Sequence, residues 1–152
     1  MHAPLRVLVC DDQFDVREAL RLLLKGAGCH AVTVDSSRAL LDVVSHNDFD
    51  VILADLNYSR DTTSGGEGLD LLAALEARGN VTPVIVMTAW ASIELAVEAM
   101  RRGACDFLQK PWNNARALAT FANMRKRVSG VNPNWRSRPP SSIVCSRPPD
   151  PR

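Results

Sequence analysis

The chain is poor in aromatic residues, which make up 5% of its 152 positions with a single Tyr, and it is nearly without net charge, at +1. Near-neutrality removes any bulk electrostatic case for binding nucleic acid or a membrane surface. Its apolar runs fall far short of the roughly 18 residues that cross a bilayer. The opening Met1-His2-Ala3-Pro4 lacks a charged-then-apolar leader, so a cytoplasmic protein is the simplest expectation. Four cysteines are present, with no CxxC pair and no histidines at zinc-ligand spacing. They read as small buried or partly buried thiols. What remains, 46% hydrophobic and 23% charged residues, is the composition of one globular domain with a real core.

Against these absences stand five short apolar runs, each closed by a polar residue of a particular kind. Asp11-Asp12 follows Val7-Leu8-Val9-Cys10, and Asp55 follows Val51-Ile52-Leu53-Ala54. Thr88 follows Val84-Ile85-Val86-Met87, Lys110-Pro111 follows Phe107-Leu108-Gln109, and Asp35-Ser36 follows Ala31-Val32-Thr33-Val34. Helical spacing separates the runs. Val16, Ala19, Leu20, Leu23 and Leu24 form one stripe, ended by Gly26 and Gly28, and Ala39, Leu40, Val43 and Val44 form a second behind the capping pair Ser36-Ser37. Leu69, Leu72 and Ala73 mark a third helix over Gly68–Ala77, stopped at Gly79-Asn80. Ile93, Ala96, Val97 and Met100 mark a fourth, with Ser92 before it and Gly103 after it. Leu118, Phe121 and Ala122 mark a fifth, starting at Asn113 or Asn114 and ending in Arg125-Lys126-Arg127.

Five such strand–helix units predict an α/β fold: a doubly wound parallel sheet of order 2-1-3-4-5 with five helices on its two faces. In a parallel sheet all the carboxyl ends share one edge, and this order makes the first and third strands neighbours there. Asp11, Asp12 and Asp55 then converge. Three carboxylates so close repel one another, and Mg²⁺, which prefers hard oxygen ligands, is the natural remedy. Asp55 is left as a carboxylate nucleophile toward a phosphoryl donor. Lys110 neutralises phosphoryl oxygens there, and the Thr88 hydroxyl donates a hydrogen bond to one. The Lys110-Pro111 pair is also a place where a cis peptide is energetically accessible.

Over about Leu5–Arg127 the chain resembles a receiver domain of the bacterial two-component response-regulator family, whose fold is flavodoxin-like. The resemblance rests on Val-Cys-Asp11-Asp12, Leu-Ala-Asp55-Leu, Val-Met-Thr88-Ala89 and Gly103-Ala104-Cys105-Asp106-Phe107-Leu108-Gln109-Lys110-Pro111. It implies Asp55 as the phosphoacceptor, with Asp11, Asp12, Asp55 and the backbone carbonyl of Asn57 around Mg²⁺ or Mn²⁺. It further implies Thr88 and Lys110 as phosphoryl-sensing residues and Phe107 as a switch aromatic that turns inward. A sensor histidine kinase is the implied partner, with homodimerisation through the fourth-helix and fifth-strand face. The implied activity is that of a signalling domain assisting its own phosphorylation and dephosphorylation.

The polar loop Asn57–Gly68, with Thr88-Ala89-Trp90 and Lys110-Pro111-Trp112, is similar to receivers of NtrC-like, sigma-54-dependent regulators. Such regulators continue into ATPase and DNA-binding domains. Neither is expected here, because no GxxxxGK segment occurs, so output is expected through a full-length relative or partner, without direct nucleic-acid binding. A receiver domain over 5–127 is followed by 128–152, where Ser129–Arg152 holds six of the nine prolines and four arginines. That composition reads as a flexible tail, and the whole as a stand-alone receiver or a truncated or frameshifted regulator. Two other classes compete. A small aspartyl-phosphate phosphohydrolase is disfavoured because Asp11-Asp12 is adjacent rather than Asp-x-Asp, and a phosphorylation-independent interaction module because every phosphorylation residue is present.

The resemblance places Asn57 and Trp90 beside the phosphoryl site, where an indole either shields the acyl phosphate from water or simply anchors its loop. Shielding predicts that Trp90→Ala shortens the phospho-Asp lifetime in a dephosphorylation time course; an unchanged lifetime leaves only the anchor.

Overall fold

The apolar runs become strands and the periodic segments become helices in the order β1 (Arg6–Cys10), α1 (Phe14–Gly26), β2 (His30–Val34), α2 (Ser37–His46), β3 (Val51–Asp55), α3 (Gly66–Ala77), β4 (Val84–Thr88), α4 (Ile93–Arg101), β5 (Asp106–Gln109) and α5 (Asn114–Val131). The structure, a computed structural model, describes residues 4–56, 66–88 and 93–131. Asn57, most of its loop, Trp90, Ser92 and the tail from 132 onward lie outside the described residues.

All five strands pair in parallel in the order β2-β1-β3-β4-β5, as the sequence predicts. Every residue of β3 and β4 is buried, which is why these runs carry no polar alternation. Alternate side chains feed two cores. On one face Val7, Val9, Leu53, Ile85 and Met87 pack with Leu20 and Leu24 of α1 and Ala117, Phe121 and Met124 of α5. On the other face Leu8, Ile52, Ala54 and Val86 pack with Leu40 of α2, Leu71, Leu72 and Leu75 of α3 and Ala99 of α4.

Local chemistry sets several boundaries. Ser36 caps α2 by accepting the Ala39 N–H at 3.1 Å, and Asn113 accepts the Ala115 and Arg116 N–H groups at 2.9 and 3.3 Å. Both follow the usual preference for a side-chain oxygen at a helix start. Gly28 and Gly79 take positive φ beyond α1 and α3, a conformation that a side chain disfavours.

Three helices present different faces from those the spacing suggests. In α3 the buried residues are Leu71, Leu72 and Leu75, whereas Ala73 is exposed. Among the described side chains of α4 the fully buried one is Ala99, and Val97 is 47% exposed. In α5 Phe121 is buried as expected but is joined by Ala117 and Met124, with Leu118 and Ala122 outside. A short helix with apolar residues on several sides has more than one acceptable rotation, and the sheet selects the closest-packing one. α5 also continues past Arg127 to Val131. The first proline after that arginine is Pro133, and a helix normally yields only at or just before the residue preceding proline. Cys10 and Cys29 are buried thiols outside any disulfide, whereas Cys105 is disulfide-bonded, contrary to the thiol expectation.

Leu53 is fully buried at the centre of β3. Leu53→Ala is expected to cost about 2–5 kcal/mol in urea unfolding; a loss well under this range contradicts the central packing described.

Candidate functional site

The site is built where the strands stop. Cys10 pairs with Ala54 in the β1–β3 register, so the next residues, Asp11 and Asp55, leave the sheet side by side. The Asp11 N–H still donates to the Val34 carbonyl at 3.2 Å, which holds the chain in sheet geometry as it enters the loop. Asp12 follows at once, and one carboxylate oxygen from each of Asp11, Asp12 and Asp55 lies within 4.8 Å of the others. Asp11 and Asp55 are buried, and Asp12 is partly exposed.

The opposing charge comes from β5. The Lys110 N–H donates to the Thr88 carbonyl at 2.7 Å, extending the ladder one step beyond the strand, and the Lys110–Pro111 peptide is cis. The Lys110 ammonium donates to Asp11 Oδ2 in an ion pair and lies 3.1 Å from Asp55 Oδ2. Asp11 Oδ1 accepts the Gln13 N–H at 2.9 Å. Three carboxylates face one ammonium, a formal balance of −3 + 1 = −2. Like charges gathered in a mostly buried cluster are costly, and a divalent cation with oxygen preference suits this donor set.

The other expected residues are placed as follows. Thr88 is fully buried at the end of β4, one residue beyond Met87, which pairs with Asp55. Phe107 pairs with Val86 in β5 and packs, half-buried, against the core shared with α2, α3 and α4. The fold thus brings Asp11, Asp12, Asp55 and Lys110 into one cluster, with Thr88 on the adjoining strand end and Phe107 on the strand beyond. Asn57 and Trp90 are outside the described residues.

One neighbour was not legible in the sequence. Arg17, in the second turn of α1, donates from Nη1 to the Asp11 carbonyl at 2.9 Å. Its guanidinium also stands 5.7 Å from the ring centroid of Phe14, a residue 65% exposed. The only signal was a basic residue near a helix N-terminus, where the helix dipole disfavours it.

A family described as the response regulator receiver domain matches residues 7–122. The chain is 41% identical over 119 residues to the transcriptional regulatory protein FixJ of Azorhizobium caulinodans, covering 78% of this chain and 54% of FixJ. It is 35% identical over 111 residues to the DNA-binding transcriptional regulator NtrC of Klebsiella pneumoniae, covering 73% of this chain and 23% of NtrC. The chain therefore spans about half the length of one of these curated relatives and about a quarter of the other. Among solved structures, the N-terminal signal receiver domain of a two-component system response regulator from Bacteroides fragilis aligns with a TM-score of 0.69 at 33% identity, covering 80% of this chain and 96% of that one.

Removing Lys110 takes from two buried acids the ammonium they share. In metal-free buffer Lys110→Met is expected to lower unfolding stability by about 3–5 kcal/mol, the usual penalty for a buried ion pair that loses one partner. Denaturant titration in EDTA measures it, and an unchanged midpoint contradicts the pairing.

Proposed function

The chain belongs to the response regulator receiver domain family, and from that premise we propose that Asp55 is its phosphoacceptor in a two-component phosphorelay. The observation that carries this reading is the position of Asp55. It is the buried acid at the end of a central strand, within 4.8 Å of two further carboxylates and 3.1 Å from the Lys110 ammonium.

In the proposed step an Asp55 carboxylate oxygen attacks the phosphorus of a donor. The new P–O bond forms as the bond between phosphorus and the donor breaks, and the leaving group keeps the electron pair. With a sensor histidine kinase as partner the broken bond is the P–N bond of a phosphohistidine. Lys110, already beside Asp55, supplies a cation for the phosphoryl oxygens. The Thr88 hydroxyl, on the neighbouring strand end, donates a hydrogen bond to one of them. Asp11 also pairs with Lys110 and keeps the ammonium at the site. The same residues assist attack by water on the acyl phosphate, which breaks the bond between phosphorus and the Asp55 oxygen and releases inorganic phosphate.

Asp11, Asp12 and Asp55, with the backbone carbonyl of Asn57 as a further proposed ligand, would hold Mg²⁺ or Mn²⁺. Their hard-oxygen donor set and doubly negative balance fit such an ion. When bound, it supplies the positive charge that lets the acids and an incoming phosphoryl group share one site.

Phosphorylation exchanges the single negative charge of the Asp55 carboxylate for the roughly −1.5 to −2 of a phosphoryl group, a net change of about −1 that also brings three acceptor oxygens. We take Thr88 and Phe107 as the elements that answer it, because they lie on the adjacent strands β4 and β5 and Phe107 is only half-buried. A coupling of roughly 1–3 kcal/mol suffices for such a switch. The readout surface is the α4–β5 face, with homodimerisation there as its proposed form. The downstream process is transcription, acting through a full-length relative or partner rather than direct nucleic-acid binding by this chain. We assign 5–127 to the receiver and 128–152 to a proline- and arginine-rich tail, whose first four residues continue α5 to Val131. No described helix is long and apolar enough to cross a membrane, and a cytoplasmic site of action fits the family.

Acetyl phosphate with Mg²⁺ is expected to add one phosphoryl group to the wild-type chain and none to Asp55→Asn, read by intact-mass spectrometry. Undiminished labelling of Asp55→Asn removes the assignment.

A further inference from the structure

We propose that Arg17 is a positioning residue for the acidic cluster, acting through the peptide that joins Asp11 to Asp12. The inference deepens the metal-site reading above and rests on it. Arg17 is the fourth residue of α1, which begins at Phe14. The positive end of the dipole does not favour a cation so near a helix N-terminus, and Asp15 in the same first turn offsets it, so the dipole does not explain where the guanidinium points. Its acceptor does. The carbonyl that receives Arg17 Nη1 at 2.9 Å belongs to Asp11, and this carbonyl lies in the peptide plane leading directly into Asp12. Fixing the plane fixes the direction in which the Asp12 backbone leaves Asp11, and with it the relation between the two carboxylates.

A second tie holds the same turn. Gln13, the N-cap of α1, makes no side-chain capping hydrogen bond. The turn is held instead by the Gln13 N–H on Asp11 Oδ1 at 2.9 Å and by Arg17 on the Asp11 carbonyl. Phe14 fits the same picture. Its ring is largely exposed, so burial does not explain it, and it stands beneath the Arg17 guanidinium at 5.7 Å. There it forms a shelf that limits the arginine's rotamers. Arg17 thus supports the ligand-bearing turn from outside, as groups behind metal ligands commonly do.

The test is Mg²⁺ binding measured by titration calorimetry on the full chain, with urea unfolding in EDTA as a companion. Arg17→Met and Arg17→Ala are expected to bind Mg²⁺ about 10-fold more weakly than wild type, the low end of losses seen when a group behind a metal ligand is removed. Arg17→Lys, which restores a charged donor, is expected to recover most of that loss. Unfolding midpoints in EDTA should stay close to wild type for all three, so the affinity change is not a general loss of structure. Affinity within twofold of wild type, or tighter, in whichever deletion variant folds overturns the proposal. So does Arg17→Lys binding no better than Arg17→Ala. If the wild-type chain itself takes up no Mg²⁺, the metal-site reading fails instead, an outcome distinct from these.

Discussion

Like charges held together are the condition on which the rest of this structure depends. Asp11, Asp12 and Asp55 bring carboxylate oxygens within 4.8 Å of one another, two of the three from buried residues. Against that repulsion stands the ammonium of Lys110, which reaches Asp11 and Asp55 together from 99 residues along the chain from Asp11. The acids are therefore maintained by structure built elsewhere. That structure is the apolar sheet beneath them, with β3 and β4 buried along their whole length and a hydrophobic core on each face. Burial on this scale is the dominant favourable term in folding, and it offsets a site that, without a counter-ion, opposes folding.

The arrangement also separates rigid parts from responsive ones. Asp11, Asp55 and Thr88 are fixed by strand register and almost complete burial. Asp12 and Phe107 are only partly covered. A site that must accept a change of charge gains from this division, because rigid strand ends define the geometry and less buried side chains respond to it. Arg17 belongs with the fixing elements, although it stands outside the cluster and touches only a backbone carbonyl.

Much of the fold and most of the site were legible in the sequence. Val51–Ala54 and Val84–Met87 read as strands covered on both faces, and burial of every residue in β3 and β4 is the structural counterpart. The acids, Thr88 and Lys110 were legible because each closes such a run, and a parallel sheet gathers those ends on one edge. Helix rotation was less legible. Leu118 looked like a core residue of α5, yet it is 37% exposed while Ala117 is fully buried. Neighbouring apolar residues on a short helix satisfy the periodicity about equally well, and only the shape of the facing sheet separates them. Arg17 was illegible for a different reason. Its partner is a main-chain carbonyl, which carries no residue identity.

By itself the sequence determined the alternation of strands and helices, the order of the sheet and the set of polar residues at its carboxyl edge. These follow from local periodicity and from the handedness of βαβ crossovers, both of which are written along the chain. Tertiary structure decided what distance in three dimensions alone can decide. It set Lys110 against two acids at once, chose Ala117 and Met124 over Leu118 and Ala122 as partners of Phe121, and laid Arg17 across the turn between Asp11 and Asp12. Side-chain reach and close packing are properties of assembled surfaces, and no window of sequence contains them.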